Sequence, residues 1–191
     1  MSSTWGSDTC SRRLVTGLLA LLCLAGWPGA GAAKVFYSRS EAVELAFPDA
    51  DRVESQTHVL SQEQVARVEA LAGSPVDSRL VKIYRGVRED ELLGYAVIDV
   101  HNVRTLPEAF MVVLTPEGTV RSVRMLAFHE PLEYLPAGRW YEQFDRKSLA
   151  EPLRLGGDVH GVVGATLSAR ATTRGVRRVL AFYEVLIRDG R

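Results

Sequence analysis

The sequence predicts an α+β fold in which an antiparallel sheet of about four strands is combined with two N-terminal helices and a long C-terminal helix. Three observations favour this architecture. Two segments with helix-capping signals precede residue 80. Four runs rich in β-branched and aromatic residues follow, with links too short for helical crossovers. Residues 168–188 then carry apolar side chains at helical spacing.

The first 32 residues have the organisation of a secretory signal peptide. Arg12 and Arg13 precede an apolar run of 13 residues, which is shorter than the roughly 20 residues of a membrane span. Ala30 and Ala32 supply the small residues of a cleavage site. We therefore expect a periplasmic or otherwise extracytoplasmic protein, or one held at the inner membrane by an uncleaved signal. The two arginines also resemble an incomplete twin-arginine signal, so the export route stays open.

Charge and cysteine content restrict the chemistry. The whole chain carries 23 basic and 23 acidic residues, and removing residues 1–32 leaves a net charge near −1. No basic surface for nucleic acid is therefore expected. Both cysteines, Cys10 and Cys23, lie in the signal, so the processed chain has no thiol for a disulfide, an iron–sulfur cluster or a Cys-linked haem. Redox chemistry would need an organic cofactor.

Two short helices are expected in residues 33–79, the N-terminal helical segment of the domain. Ser40 reads as the N-cap of a helix that Pro48 stops. Ser61 is a second N-cap, with Glu63 and Gln64 near the capping-box position, and this helix ends at the Gly73-Ser74-Pro75 sequence. The main part of the domain follows over 80–191. Its strands are expected within residues 80–84, 92–100, 110–114 and 120–125.

Residues 129–157 have no regular pattern apart from a brief helix over 140–144. They carry several aromatic side chains, including Tyr134 and Trp140. A segment of this length without secondary structure is uncommon in a compact domain. Two interpretations stay open: a loop whose rings pin it to the core, or a cover over a flat aromatic ligand. The histidines and acids of this region lack dedicated metal-ligand spacing, so no metal site is expected.

The C-terminal helix begins in basic sequence. Arg170 and Arg174 occupy its first two turns, where the helix dipole favours anions, so a bound anion would offset the conflict. Arg177, Arg178 and Arg188 are expected on a solvated face.

Small residues precede this helix. Gly164 allows close approach of a ligand to the backbone, Ala165 adds no bulk, Thr166 supplies a hydroxyl, and Ser168 can cap the helix. A helix N-terminus of this kind can hold a phosphate. It is neither a Walker loop nor a dinucleotide fingerprint, because no Lys-Ser/Thr pair follows the glycines.

The sequence VVGATLSARATTRGV, residues 162–176, resembles the flavin-attachment motif of the FMN-binding domain family. That family includes the covalently flavinylated subunits of ion-pumping NADH:quinone oxidoreductases and smaller exported electron-transfer proteins. Residues 92–100, 117–135 and 138–144 resemble further segments of the family in the same order. The resemblance implies that residues 80–191 are an FMN-binding domain. It also implies that a flavin transferase joins the FMN phosphate to the Thr166 hydroxyl as a phosphoester.

The resemblance also implies a set of cofactor-binding residues. Two positions depart from the motif: Val163 replaces a serine or threonine, and His160 stands at the acidic position, with Asp158 two residues earlier. FMN bound without a covalent bond is therefore an alternative. The implied phosphate contacts are Gly164, Ala165, Thr166, Leu167 and Ser168, with His160 beside them, and the ring contacts are Glu130, Tyr134 and Trp140.

These expectations describe an exported electron-transfer flavoprotein, more an electron carrier than an enzyme with its own substrate. Its partners would be the flavin transferase and a redox partner that could belong to a membrane electron-transport complex. A flavin-free structural or sensory module with the same fold is the alternative. A flavin reductase is less favoured, because no nicotinamide fingerprint is present.

Overall fold

Six antiparallel strands form the sheet of this protein, whose computed structural model describes residues 33–190. Every pair of neighbouring strands in the sheet is antiparallel. The expected signal peptide, with both cysteines, lies outside the described residues. The strands are β1 (Lys34–Val35), β2 (Arg52–Val59), β3 (Leu80–Arg88), β4 (Glu91–Asn102), β5 (Pro107–Leu114) and β6 (Val120–Phe128). Their order across the sheet is β1-β6-β5-β4-β3-β2.

Three α-helices and several shorter helical turns accompany the sheet. The last and longest α-helix continues into a single π-helical turn, Glu184–Arg188. In residues 33–190, no helix combines the length and apolar character needed to cross a membrane. The helices are α1 (Arg39–Ala46), α2 (Gln62–Ala72) and α3 (Thr166–Tyr183), and the 3₁₀ helices are Leu132–Tyr134 and Gly138–Phe144.

The predicted architecture of four strands behind two N-terminal helices is wrong. The sheet has six strands, and the helices are not an N-terminal pair, because β1 precedes α1 and β2 separates α1 from α2. Strand β2 pairs along its whole length with β3, from Arg52 opposite Val87 to Val59 opposite Leu80. Its side chains are almost all exposed, so it lacks the apolar alternation by which a half-buried strand is recognised.

Capping boxes begin both short helices. Ser61 Oγ accepts a hydrogen bond from the Gln64 amide at 3.1 Å, and Gln64 Oε1 accepts from the Ser61 amide at 2.9 Å, as the sequence predicts. In α1 the N-cap is Ser38 instead of the expected Ser40. Ser38 and Glu41 have the three-residue spacing that the reciprocal bonds of a capping box require.

Both faces of the sheet are buried. Side chains alternate along each strand, so Ile83 and Val97 face α2 and α3, whereas Tyr84, Ala96 and Met111 face α1. The larger core lies on the α3 side and includes Phe110, Phe128, Phe144 and Leu180, all with almost no exposed area. This packing fixes α3 against the sheet and thereby fixes the position of its N-terminus.

Candidate functional site

The N-terminus of α3 is shaped by the residues that the sequence singled out. Gly164 has a φ of 84°, a left-handed conformation that glycine adopts without strain. The Ala165 amide donates to the Val162 carbonyl at 3.1 Å, and the helix begins at Thr166. The expectation that Ser168 caps the helix is wrong, because Ser168 lies inside the first turn of the helix. The chain therefore reverses direction immediately before the helix and leaves its first turn open.

The first turn of α3 is electropositive. The amides of Thr166, Leu167 and Ser168 donate to no acceptor in residues 33–190, and no side chain caps them. The turn contains no acidic residue. Unpaired amides and the helix dipole together favour a bound anion here.

A cavity of about 220 Å³ opens at this turn. Its opposite wall comes from the β4–β5 loop and from the segment after β6. Seven of the nine residues implied by the resemblance line it. The lining residues are Val103, Arg104, Glu130, Tyr134, Gly164, Ala165, Thr166, Leu167 and Ser168.

Ser168 contributes a polar atom without a partner. The residue has no exposed area, and its hydroxyl makes no hydrogen bond. An unsatisfied buried hydroxyl costs free energy, so native structures generally provide it with a partner. Ser168 lines the cavity as a residue, and its hydroxyl, which has no accessible area in this structure, would reach a ligand or water there only after the side chain turns about χ1.

Glu130 holds the β4–β5 loop against the cavity. One of its carboxylate oxygens accepts hydrogen bonds from the Thr105 and Leu106 amides, each at 3.1 Å. The bond from the Thr105 amide contributes most to lowering the pKa of Glu130 below its ordinary value. Glu130 is therefore a carboxylate at neutral pH and places a fixed negative charge in the wall that also carries Tyr134.

Arg104 is a lining residue that the sequence did not reveal. It lies in the loop between β4 and β5, where it is exposed and lines the cavity. No local sequence signal marks it, because its position depends on how this loop returns toward α3. Its guanidinium gives the cavity a positive charge in addition to the helix amides.

Trp140 and His160 do not line the cavity. Trp140 is 8% exposed, and its ring packs edge-on against Tyr141 and Phe144. Its indole N–H donates to the His160 carbonyl at 2.7 Å, while the His160 amide donates to Gln143 Oε1 at 2.8 Å. Trp140 thus pins the long loop to the core, whereas Tyr134 of the same loop reaches the cavity.

Asp158, the nearest acid to the motif, is engaged elsewhere. Its carboxylate accepts from the Arg154 amide at 2.8 Å and the Leu153 amide at 3.1 Å, and it pairs with Lys147 at 3.2 Å. These bonds form the turn that precedes the motif. Neither Asp158 nor the fully exposed Val163 lines the Thr166 cavity.

A charged cluster is buried where β4, β5 and α3 meet. Arg178 donates to both carboxylate oxygens of Asp99, at 2.7 and 2.9 Å. His101 lies 2.6 Å from Asp99 and 2.8 Å from Glu108, and the Thr172 hydroxyl donates to Glu108 at 3.0 Å. The expectation that Arg178 is solvated is wrong, because the Asp99 carboxylate compensates its charge inside the protein.

The cluster controls the protonation of its members. Burial alone lowers the pKa of His101, but Asp99 and Glu108 outweigh it and raise the pKa to about 9. Burial raises the pKa of Asp99, yet hydrogen bonds with His101 and Arg178 bring it below its ordinary value. At neutral pH His101 is therefore protonated, and the Asp99 carboxylate faces two cations, His101 and Arg178. One oxygen of Glu108 and the Tyr141 hydroxyl are buried without hydrogen-bond partners.

Comparison with known proteins gives no match to a protein-family model and no match to a curated protein. In residues 33–190, no group of three or more acidic, histidine or cysteine side chains converges as a metal site would require.

Proposed function

We propose that the protein is an exported electron-transfer flavoprotein that carries FMN, joined through a phosphoester to Thr166. One observation carries the proposal: Thr166 and the first helix turn with its unpaired amides line one cavity, with Tyr134 on the opposite wall. A phosphate seat and an aromatic wall are the two features that a flavin mononucleotide needs.

The phosphate end of the site fits on steric and electrostatic grounds. A Cβ built on Gly164 would meet no atom within 4 Å, so there is open space beside the backbone at this turn. Thr166 is exposed, and its hydroxyl makes only a long bond of 3.4 Å to the Val162 carbonyl. The hydroxyl is therefore accessible to a modifying enzyme. The helix amides and Arg104 would neutralise the phosphate charge.

The opposite wall would act on the ring. Tyr134 is partly exposed at the cavity, and an aromatic side chain in this position can stack on a flat ligand. FMN supplies one- and two-electron transfer when bound, and the protein sets its position and potential. The fixed negative charge of Glu130 would disfavour added negative charge nearby and so lower the reduction potential of a bound group.

The remaining parts of the proposal concern location and partners. A covalent bond would retain the cofactor in an extracytoplasmic compartment, where a dissociated flavin is lost by dilution. A flavin transferase would install the group from a flavin dinucleotide: the Thr166 oxygen would bond to the FMN phosphorus, the other nucleotide would leave as its monophosphate, and the hydroxyl proton would pass to a base of the transferase. The redox partner is expected to be a second electron carrier, and it could belong to a membrane electron-transport complex.

In-gel fluorescence tests the attachment. The full chain is expressed with a flavin transferase, denatured and separated, and the band is examined for flavin fluorescence. We expect fluorescence in the unmodified sequence and in Thr57→Val, which removes an exposed threonine of β2, and no fluorescence in Thr166→Val. Fluorescence that persists in Thr166→Val would refute the assigned residue.

The same preparations separate the alternatives. Flavin that co-purifies with the native protein but is lost on denaturation would show non-covalent binding. A colourless native protein in a host that flavinylates a control substrate would favour the flavin-free structural or sensory module.

A further inference from the structure

A second, larger cavity of about 610 Å³ lies beside the Thr166 cavity. One wall is a face of α3, and the facing walls are the loop after α2 and the end of β4. The two cavities share Val103 and Leu167. The second cavity therefore continues the first along α3, away from the helix N-terminus.

Its α3 wall is cationic. Arg170, Arg174 and Arg178 follow one another at intervals of four residues and line the cavity, as residues on one helix face do. Arg178 is neutralised by Asp99. The Arg170 and Arg174 side chains form no ion pair or hydrogen bond within residues 33–190, and the one acidic lining residue is Asp77.

A second observation points to a polar ligand in the same cavity. Ser74 lies on the wall opposite the arginines, and its hydroxyl is buried without a hydrogen-bond partner. A hydroxyl can donate to an oxyanion that also contacts a guanidinium. Ser74 and the unpaired arginines thus line one space, and a turn of the Ser74 side chain about χ1 would bring its hydroxyl, which has almost no accessible area in this structure, to a bound anion.

We propose that this cavity is a binding site for a small oxyanion, a carboxylate or a phosphate, held by Arg170, Arg174 and Ser74. Guanidinium groups bind both anions bidentately, with strong charge-assisted hydrogen bonds. A bound anion also relieves the repulsion between two adjacent arginines and satisfies the Ser74 hydroxyl. The volume lies within the range of small-molecule sites. The site does not depend on the flavin, because none of these three residues lines the Thr166 cavity.

Isothermal titration calorimetry on the purified, flavin-free protein tests this site. Pyrophosphate and succinate are titrated separately at constant ionic strength, so that the two arms distinguish a phosphate from a carboxylate ligand. We expect saturable binding of at least one probe. The double variant Arg170→Gln/Arg174→Gln should weaken it by roughly tenfold or more, because it removes two charge-assisted contacts.

Matched variants separate a site from general charge attraction. Arg139→Gln is the control: it removes an exposed arginine of the 3₁₀ helix Gly138–Phe144. The Arg139 side chain makes no hydrogen bond or ion pair in the described residues, and its loss should leave the dissociation constant of the probe unchanged. Ser74→Ala should weaken binding by several-fold. Absence of saturable binding by both probes, or equal weakening in Arg139→Gln and the double variant, would overturn the proposal.

Discussion

Glu108→Gln should destabilise the protein at neutral pH but not at alkaline pH. The substitution replaces a fully buried carboxylate with a neutral amide of similar shape. At pH 7 the cluster of the unmodified protein holds a protonated His101 between Asp99 and Glu108, with Arg178 paired to Asp99. The variant would leave an excess positive charge in the interior unless His101 released its proton.

The pKa of His101 bounds the size of the effect. The pKa is raised to about 9 in the folded protein, so forcing deprotonation at pH 7 costs about 3 kcal/mol. The free energy of unfolding of the variant should therefore fall at pH 7, by less than the limit of about 3 kcal/mol, because Asp99 stays in place and contributes more than Glu108 to the raised pKa of His101. A raised folded pKa gives stability that is fully present below the unfolded value and is lost as the pH rises through about 9. Above that pH His101 is neutral in both proteins, and the difference should vanish.

Urea unfolding followed by circular dichroism measures this difference at neutral and alkaline pH. NMR titration of the imidazole should show the pKa of His101 falling from about 9 toward its ordinary value in the variant. The control Glu117→Gln removes an exposed turn carboxylate and should change stability by less than about 0.5 kcal/mol. A destabilisation that is equally large at alkaline pH would refute the electrostatic explanation.

Three further substitutions test the packing and capping by urea unfolding. Arg178→Gln leaves the buried Asp99 carboxylate with His101 as its one remaining cation and should cost up to about 3–5 kcal/mol; a loss below about 1 kcal/mol would mean that Arg178 contributes little to the buried cluster. Gly175→Ala places a Cβ 2.5 Å from Phe110 Cζ and should cost about 1–3 kcal/mol through overpacking, whereas unchanged stability would show that the ring can move. Ser61→Ala removes the N-cap of α2 and should cost about 1 kcal/mol; no loss would show that the cap is dispensable.

Local signals in the sequence predicted local structure well. The capping box of Ser61 and the stop at Gly73 were visible because each depends on residues within one helical turn. Strand β2 was not visible, because its polar side chains are exposed and only backbone pairing with β3 defines it. The two-residue strand β1 is too short to carry a pattern. The sheet therefore has two edge strands that the four-strand expectation omitted.

Part of the candidate site could likewise be predicted from local sequence, and part could not. Its helix N-terminus is contiguous in sequence, so Gly164 to Ser168 could be predicted together. Tyr134 and Trp140 were equivalent in the sequence, but packing turns one ring toward the cavity and the other into the core. The ion pair between Asp99 and Arg178 joins residues 79 positions apart, which no periodicity reveals.

Intact mass spectrometry tests the central claim most directly. The full chain is expressed in an exporting host with an active flavin transferase, and the intact mass of the purified protein is measured. The account predicts a polypeptide that starts near residue 33 and carries the added mass of FMN less one water, localised to the peptide containing Thr166. A polypeptide of unmodified mass, from a host that flavinylates a control substrate, would contradict it.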